Sequence, residues 1–260
     1  MVSLGEVLAR IHGARDSFST LRGTVRLWHD ARRTNEAWQR WMSRQSPGSV
    51  SELTGPQNSV TPQPSEQVVR LLMAKPWRWR VEREQPGQAT PGLTVIDGPV
   101  WWIWDGQSQA VTNEGSATQE TRGGGLDRAL VVMLDPAPIL SALFLRITGE
   151  GRQAGRDGLR VVGTLRNDLD DVLWPGADEY DLLVDAERGI LLRSVAYLGD
   201  TAYAGNEILE VAFDEDLPPG IFTFRPAPGV RMRRVSAQHQ PAGSSRVRKR
   251  HLFDVRRPGG

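Results

Sequence analysis

Four histidines are the chain's main candidates for proton transfer at neutral pH, and their placement argues against that chemistry. His239 and His251 lie in a basic C-terminal stretch, His12 sits in an amphipathic segment, and His29 precedes Asp30 at a strand end. Neighbouring residues on a strand point to opposite faces, so an adjacent His-Asp pair makes a poor catalytic dyad and reads as a solvated strand end. The sequence holds no G-x-S-x-G, H-E-x-x-H, Walker-type or G-x-G-x-x-G pattern, and "GEGRQAG" has the wrong spacing and reads as a hairpin. Acidic runs at Asn167–Asp171 and Asp214–Leu217 lack the Gly-centred loop and closing Glu of a calcium-binding hand, so both read as solvated turns. There is no cysteine, which removes disulfides, thiolate metal sites and cysteine nucleophiles together. No catalytic residue, metal site or cofactor is therefore expected.

What the chain offers instead is aromatic surface. It has nine Trp against three Tyr, and the stretch "VIDGPVWWIWDGQSQAV" places Trp101, Trp102 and Trp104 between two Asp-Gly pairs. On a strand Trp102 and Trp104 share one face while Trp101 and Ile103 share the other, so this segment is apolar on both sides. Trp77 and Trp79 also share a face, opposite Arg78 and Arg80. A Trp side chain buries on the order of 150–250 Å², and at ~25 cal/mol per Å² leaving several exposed is costly. Large cores and open apolar pockets draw on the same residues, so the sequence leaves both a filled and a fillable hollow open. One face of the tryptophan strand is expected to meet helices, the other to be covered by residues 31–65 or by a partner.

The elements that must position these residues follow from periodicity. Leu4, Val7, Leu8 and Ile11 predict an amphipathic helix over Leu4–Phe18, and the period changes to that of a strand over Ser19–His29. Residues 31–44 fit either a hairpin end or a short helix carrying Trp38, Trp41 and Met42. Residues 45–65, rich in Ser, Pro, Gln and Gly, read as a flexible insertion. Strand-like runs follow at Val68–Met73, Trp77–Glu84, Leu93–Ile96, Val100–Trp104 and Gln109–Thr112, with "IDGP" and "WDGQ" as Asp-Gly turns. After a break at Asn113–Gly125, Asp135 is a candidate N-cap for a second helix running from Pro136 through Leu145. Strands resume at Leu159–Leu165, Tyr180–Val184, Ile190–Tyr197, Ala204–Phe213 and Phe222–Arg225. The expected fold class is α+β: a single strongly curved antiparallel sheet of about ten strands, an unclosed half-barrel with both helices on its concave face.

Charge is unevenly placed. From Arg231 onward nine Lys and Arg face only Asp254, a net of +8, so the overall +1 leaves −7 on residues 1–230. The expected domains are a half-barrel over 1–232 and a basic, disordered tail over 233–260. The tail suits a solubilising arm that folds back on the acidic body, or contact with an anionic surface. With Phe253 as its sole aromatic residue, it gives no basis for specific nucleic-acid binding. No basic-then-apolar leader opens the chain and no segment approaches the roughly 18 apolar residues of a membrane span, so a cytoplasmic protein is expected.

Three stretches carry a family resemblance: "AKPWRWRVE" (Ala74–Glu82), "VIDGPVWWIWD" (Val95–Asp105) and "IFTFRPAPGVRM" (Ile221–Met232). Together they resemble the LolA-like superfamily of lipoprotein carriers, which includes RseB-type sigma-factor regulators and mycobacterial lipoprotein carriers. The resemblance spans residues 1–232. It implies an unclosed barrel whose concave, apolar face is covered by helices and, in the carriers, takes acyl chains. It places Lys75 where the carriers have a basic residue that helps hold the lid, and matches Trp102 to the hairpin tryptophan. Unlike exported members, this chain is expected to lack a signal peptide, and it has no cysteine for lipid attachment. The expected function is non-enzymatic binding of a hydrophobic ligand, a lipid or acyl chain. Trp28, Trp77, Trp79, Trp102, Trp104, Leu140 and Phe144 are expected to line the hollow, with Lys75 contacting the lid. The alternative is a protein-interaction module in which the pocket is incidental.

Overall fold

The computed structural model describes residues 2–45, 65–84, 90–115, 126–167 and 173–235. Residues 46–64 of the expected insertion, 168–171 of the first acidic run and 236–260 of the expected tail lie outside them. The chain runs through α1 (Leu4–Gly13), a 3-10 turn (Ala14–Asp16), β1 (Thr20–His29), α2 (Ala31–Gln45), β2 (Ser65–Ala74), β3 (Arg78–Arg83), β4 (Gly92–Asp97), β5 (Val100–Trp104) and β6 (Gln109–Thr112). It continues through α3 (Arg128–Leu134), α4 (Ile139–Ala142), β7 (Leu143–Gln153), β8 (Arg156–Leu165), β9 (Glu179–Asp185), β10 (Leu191–Leu198), β11 (Thr201–Phe213) and β12 (Arg231–Arg234).

All twelve strands belong to one sheet, in the order β12-β6-β5-β4-β3-β2-β1-β11-β10-β9-β8-β7. Two antiparallel meanders, β2–β6 and β7–β11, thus flank β1 at the centre. The ladder between β12 and β6 is parallel, so the sheet is mixed. Four interstrand spacings separate β7 from β11, which in a flat sheet would be about 19 Å. Instead, Gln153 at the end of β7 donates to the Ile208 carbonyl of β11 at 2.9 Å. The Arg156 guanidinium lies 5.0 Å from the Phe213 ring centre. This half of the sheet therefore curls on itself, while β7 and β12 remain as edges: the barrel is unclosed, as expected, with two strands more than expected.

The concave side is packed. Val7 and Ile11 of α1, Leu130 and Met133 of α3 and Ile139 of α4 share one buried cluster with Leu21, Val81, Val161, Leu182 and Tyr203 of the sheet. α1 starts with a capping box: Ser3 Oγ accepts the Glu6 N–H and the Glu6 carboxylate accepts the Ser3 N–H, satisfying two of the helix's open donors. It is shorter than expected, since the 3-10 turn takes over at Ala14. Gly189, in the β9–β10 turn, lets the sheet meet α1: its φ is +74° and a Cβ there would lie 2.1 Å from the Arg10 carbonyl oxygen.

Three local expectations change. Residues 31–45 are helical, started by the Asp30 carboxylate, which accepts the Arg33 N–H at 3.0 Å. The second helix is displaced: α3 begins after Asp127, whose side chain accepts the Ala129 N–H. Asp135 ends α3 rather than capping a later helix, and Pro136–Pro138 lead into only one turn of α4. From Leu143 the alternation Leu143, Leu145, Ile147 inward and Phe144, Arg146, Thr148 outward makes β7, with Leu143, Leu145 and Ile147 in or against the core. Finally, Phe222–Arg225 is not a strand. It belongs to a strap, residues 214–230, that crosses the convex face and delivers β12 to the sheet edge.

Candidate ligand-binding site

Register decides which face each tryptophan occupies. Met73, Trp79, Ile96 and Trp101 stand opposite one another across β2–β5 and point into the helix-covered core. Leu93 and Val95 stand opposite Trp104 and Trp102 on the convex side. There Phe222 packs with Leu93, Val95 and Ala74 in a second cluster that Trp102, Trp104, Ile221 and Phe224 join. The Trp104 and Phe224 rings are 6.3 Å apart, and the Arg78 guanidinium lies 5.3 Å from the Phe222 ring centre. The tryptophan strand is apolar on both faces because it is covered twice, by helices inside and by the strap outside. The cover that β5's outer tryptophans use comes from Ile221, Phe222 and Phe224 of the strap, and the rest of the segment expected there, residues 46–64, lies outside the described residues.

At the mouth of the concave side lies a largely apolar cavity of 280 Å³ between the 3-10 turn, the β2–β3 turn and α3. Phe18, Met73, Trp77, Trp79, Val131 and Leu134 form its apolar wall, and Arg15, Asp16, Lys75 and Asp135 its polar edge. Trp79 is 2% exposed and Trp77, on the turn, 42%. A tryptophan that exposed beside an apolar hollow is surface awaiting cover. The volume is room for about nine water-sized groups at roughly 30 Å³ each.

Lys75 joins the two sides of this mouth. Its ammonium donates to the carbonyls of Arg15 and Phe18 and sits 3.9 Å from the Phe18 ring centre. It thereby ties the end of β2 to the segment that continues α1. Burial holds its pKa below the usual lysine value, while Asp16 and Asp214 act in the opposite direction.

The residues expected in the hollow divide accordingly. Trp77, Trp79 and Lys75 meet at the mouth cavity. Leu140, on α4, is half-buried against the main core. Trp102 and Trp104 are on the convex face. Trp28 shares the outward side of β1 with Arg26 and lies over Gly205, whose Cβ would come 2.7 Å from the indole nitrogen. Phe144 is 57% exposed on β7, under the Arg166 guanidinium at 4.4 Å. A sheet one strand deep separates these side chains from the hollow, because strand parity sends alternate residues to opposite faces. Phe18, Met73, Val131, Leu134 and Asp135 were missed. Met73 is readable only once it is paired with Trp79, and Val131 and Leu134 only once Asp127 is recognised as the N-cap of α3.

Two larger spaces, each 510 Å³, lie on the convex face. One is bordered by Arg22, Arg70 and Arg80, already paired with Glu215, Glu84 and Glu82. The other runs beneath the strap beside Trp104 and Phe224. Both are grooves outside the hollow. His29 contacts Ser65 Oγ through Nδ1 at 2.8 Å and faces the Trp174 ring, while Asp30 is engaged as the cap of α2. Among the described residues no group of three or more His, Asp or Glu is placed to hold a metal ion, and no helix is long and apolar enough to cross a membrane.

No protein-family model matches the sequence, and comparison with curated proteins returns no match. Among solved structures, an uncharacterized conserved protein from Thermus thermophilus is similar, with 16% identity and a TM-score of 0.48 over 89% of this chain and 100% of that one. The Pseudomonas aeruginosa MucA/MucB complex gives 14% identity and a TM-score of 0.45 over 86% of this chain, which spans 62% of the matched chain. A LolA superfamily protein from Nitrosomonas europaea gives 12% identity and a TM-score of 0.35, covering 86% of this chain and 99% of that one. The likeness is one of overall arrangement. An unclosed sheet with helices on its inner face is the architecture that the LolA-like and RseB-like resemblance implied.

Proposed function

We propose that this protein binds an apolar, chain-like ligand without chemically transforming it, and that the ligand enters at the mouth cavity between the 3-10 turn, β2–β3 and α3. The observation that carries this reading is Trp77, 42% exposed, at the rim of a 280 Å³ space whose apolar side includes Phe18, Met73, Trp79, Val131 and Leu134. Deeper in the hollow the side chains already pack on one another, so a ligand gains most by covering the mouth or by extending inward as α3 shifts. Burial of apolar surface supplies the driving force.

Isothermal titration with straight-chain alcohols of increasing length tests this. Each added methylene inside an apolar site contributes about 0.8 kcal/mol, so the dissociation constant is expected to fall about fourfold per carbon until the cavity is full. Absence of binding throughout the series, or binding that ignores chain length, would refute the proposal.

A further inference from the structure

The mouth cavity is not purely apolar. Among the described residues, two of the buried polar atoms without a hydrogen-bond partner belong to residues in its lining: the indole N–H of Trp79 and Oδ1 of Asp135. One is a donor and the other an acceptor. A buried polar atom without a partner is unfavourable, so two on residues that line one small cavity mark a place where a ligand can recover free energy. Neither of these two atoms makes a hydrogen bond within the fold. Asp135 ends α3 through its backbone N–H, which donates to the Val131 carbonyl, and its carboxylate caps nothing. Trp79 is held by its ring.

The complementary ligand group must donate to a carboxylate and accept from an indole N–H. A hydroxyl or a primary amide does both. An ether or ester only accepts, and an ammonium only donates. A carboxylate head could draw on Arg15 at the same edge, but it would meet Asp135 and Asp16 with like charge and has no hydrogen to donate to Asp135, and Lys75 already spends donors on the Arg15 and Phe18 carbonyls. Taking the binding reading above as its premise, we infer that the mouth recognises amphiphiles with an uncharged, hydrogen-bond-donating head: an alkyl or acyl chain ending in a hydroxyl or primary amide, seated on Asp135 and Trp79.

The test is calorimetric titration of the full-length protein with 1-decanol, decyl methyl ether and decanoate, repeated on Asp135→Ala and Trp79→Phe after circular dichroism confirms folding. A hydrogen bond to a charged acceptor favours its donor by about tenfold or more in affinity. Decanol is therefore expected to bind at least about tenfold more tightly than the ether and more tightly than decanoate. Asp135→Ala should bring decanol and ether close to equal, with the ether's own affinity retained. Ether binding as tightly as decanol, decanoate binding tightest, or a preference unchanged in Asp135→Ala overturns the head-group assignment while leaving apolar binding intact. If none of the three binds, the binding reading itself fails and takes the assignment with it. Trp79→Phe, which removes the N–H that both heads accept from, should weaken decanol and the ether alike, and the wild-type comparison keeps the test decisive should Asp135→Ala not fold.

Discussion

Replacing Trp77 by alanine should weaken ligand binding in a protein that still folds. The side chain stands on the turn between β2 and β3, and the turn's backbone link, Gly98 N–H donating to the Trp77 carbonyl at 3.1 Å, does not depend on it. Of about 150–250 Å² on a Trp side chain, the 42% left exposed offers a ligand about 60–100 Å² to cover. At ~25 cal/mol per Å² that is about 1.5–2.5 kcal/mol, or a ten- to seventy-fold rise in the dissociation constant. Calorimetric titration of wild type and Trp77→Ala with 1-decanol measures the ratio, and urea unfolding of both measures stability, where losing the covered remainder of the side chain, about 90–145 Å², is expected to cost about 2–3.5 kcal/mol at the same coefficient. Unaltered affinity in a stably folded variant would show that ligand does not cover this ring and would refute the placement of the site.

Other consequences concern the scaffold. Phe222→Ala should cost about 3 kcal/mol in unfolding free energy and red-shift emission from Trp102 and Trp104 as the strap loosens, with decanol affinity unchanged; equal stability would mean that the strap does not hold the convex face. Asp185 is fully buried and accepts from Arg156 and from the Glu187 and Arg188 N–H groups. Asp185→Ala should therefore destabilise by about 3 kcal/mol, read from the denaturation midpoint, by leaving Arg156 with only the exposed Glu187 carboxylate and the Glu187 and Arg188 N–H groups without their acceptor. The Ser19 N–H, with Arg188 nearby, holds the Asp214 carboxyl below its usual range. Its stabilising effect is full above the ordinary carboxylate pKa and fades as pH falls through the lowered value, so Asp214→Asn should flatten the loss of stability below about pH 4. A variant whose acid limb matches wild type would contradict that linkage.

How much of this was legible in the sequence depends on the range of the interaction involved. Strand parity and Asp-Gly turns are local, so the meander β2–β6 and the double-faced β5 could be read directly, and Gly98 and Gly106 do take positive φ. The positions of α3 and β7 were obscured because "LDPAPILSALFL" is apolar throughout, and a run of that kind fits a helix or a buried strand equally well until its partner is known. The ladder of Leu143–Gln153 with β8 decides it for a strand. The strap was unreadable for a related reason: Phe222 and Phe224 alternate like strand residues, yet their partners are the side chains of Trp102 and Trp104, about 120 positions away in the chain, rather than a neighbouring backbone. The same non-locality divided the candidate site. Trp77 and Trp79 follow from strand parity within one short turn-and-strand unit and Lys75 from the family resemblance, and all three border the mouth cavity. Phe18, Val131 and Asp135 reach the cavity only through tertiary packing of the 3-10 turn and α3 against the sheet.

The central claim, that the hollow's mouth holds an apolar ligand, is tested most directly by native mass spectrometry of the purified full-length protein, followed by organic extraction. The account predicts a protein mass increased by a discrete small molecule that passes into the organic phase, with less of it retained by Trp77→Ala. A bare protein mass that does not change when long-chain alcohols, fatty acids or phospholipids are added would contradict it.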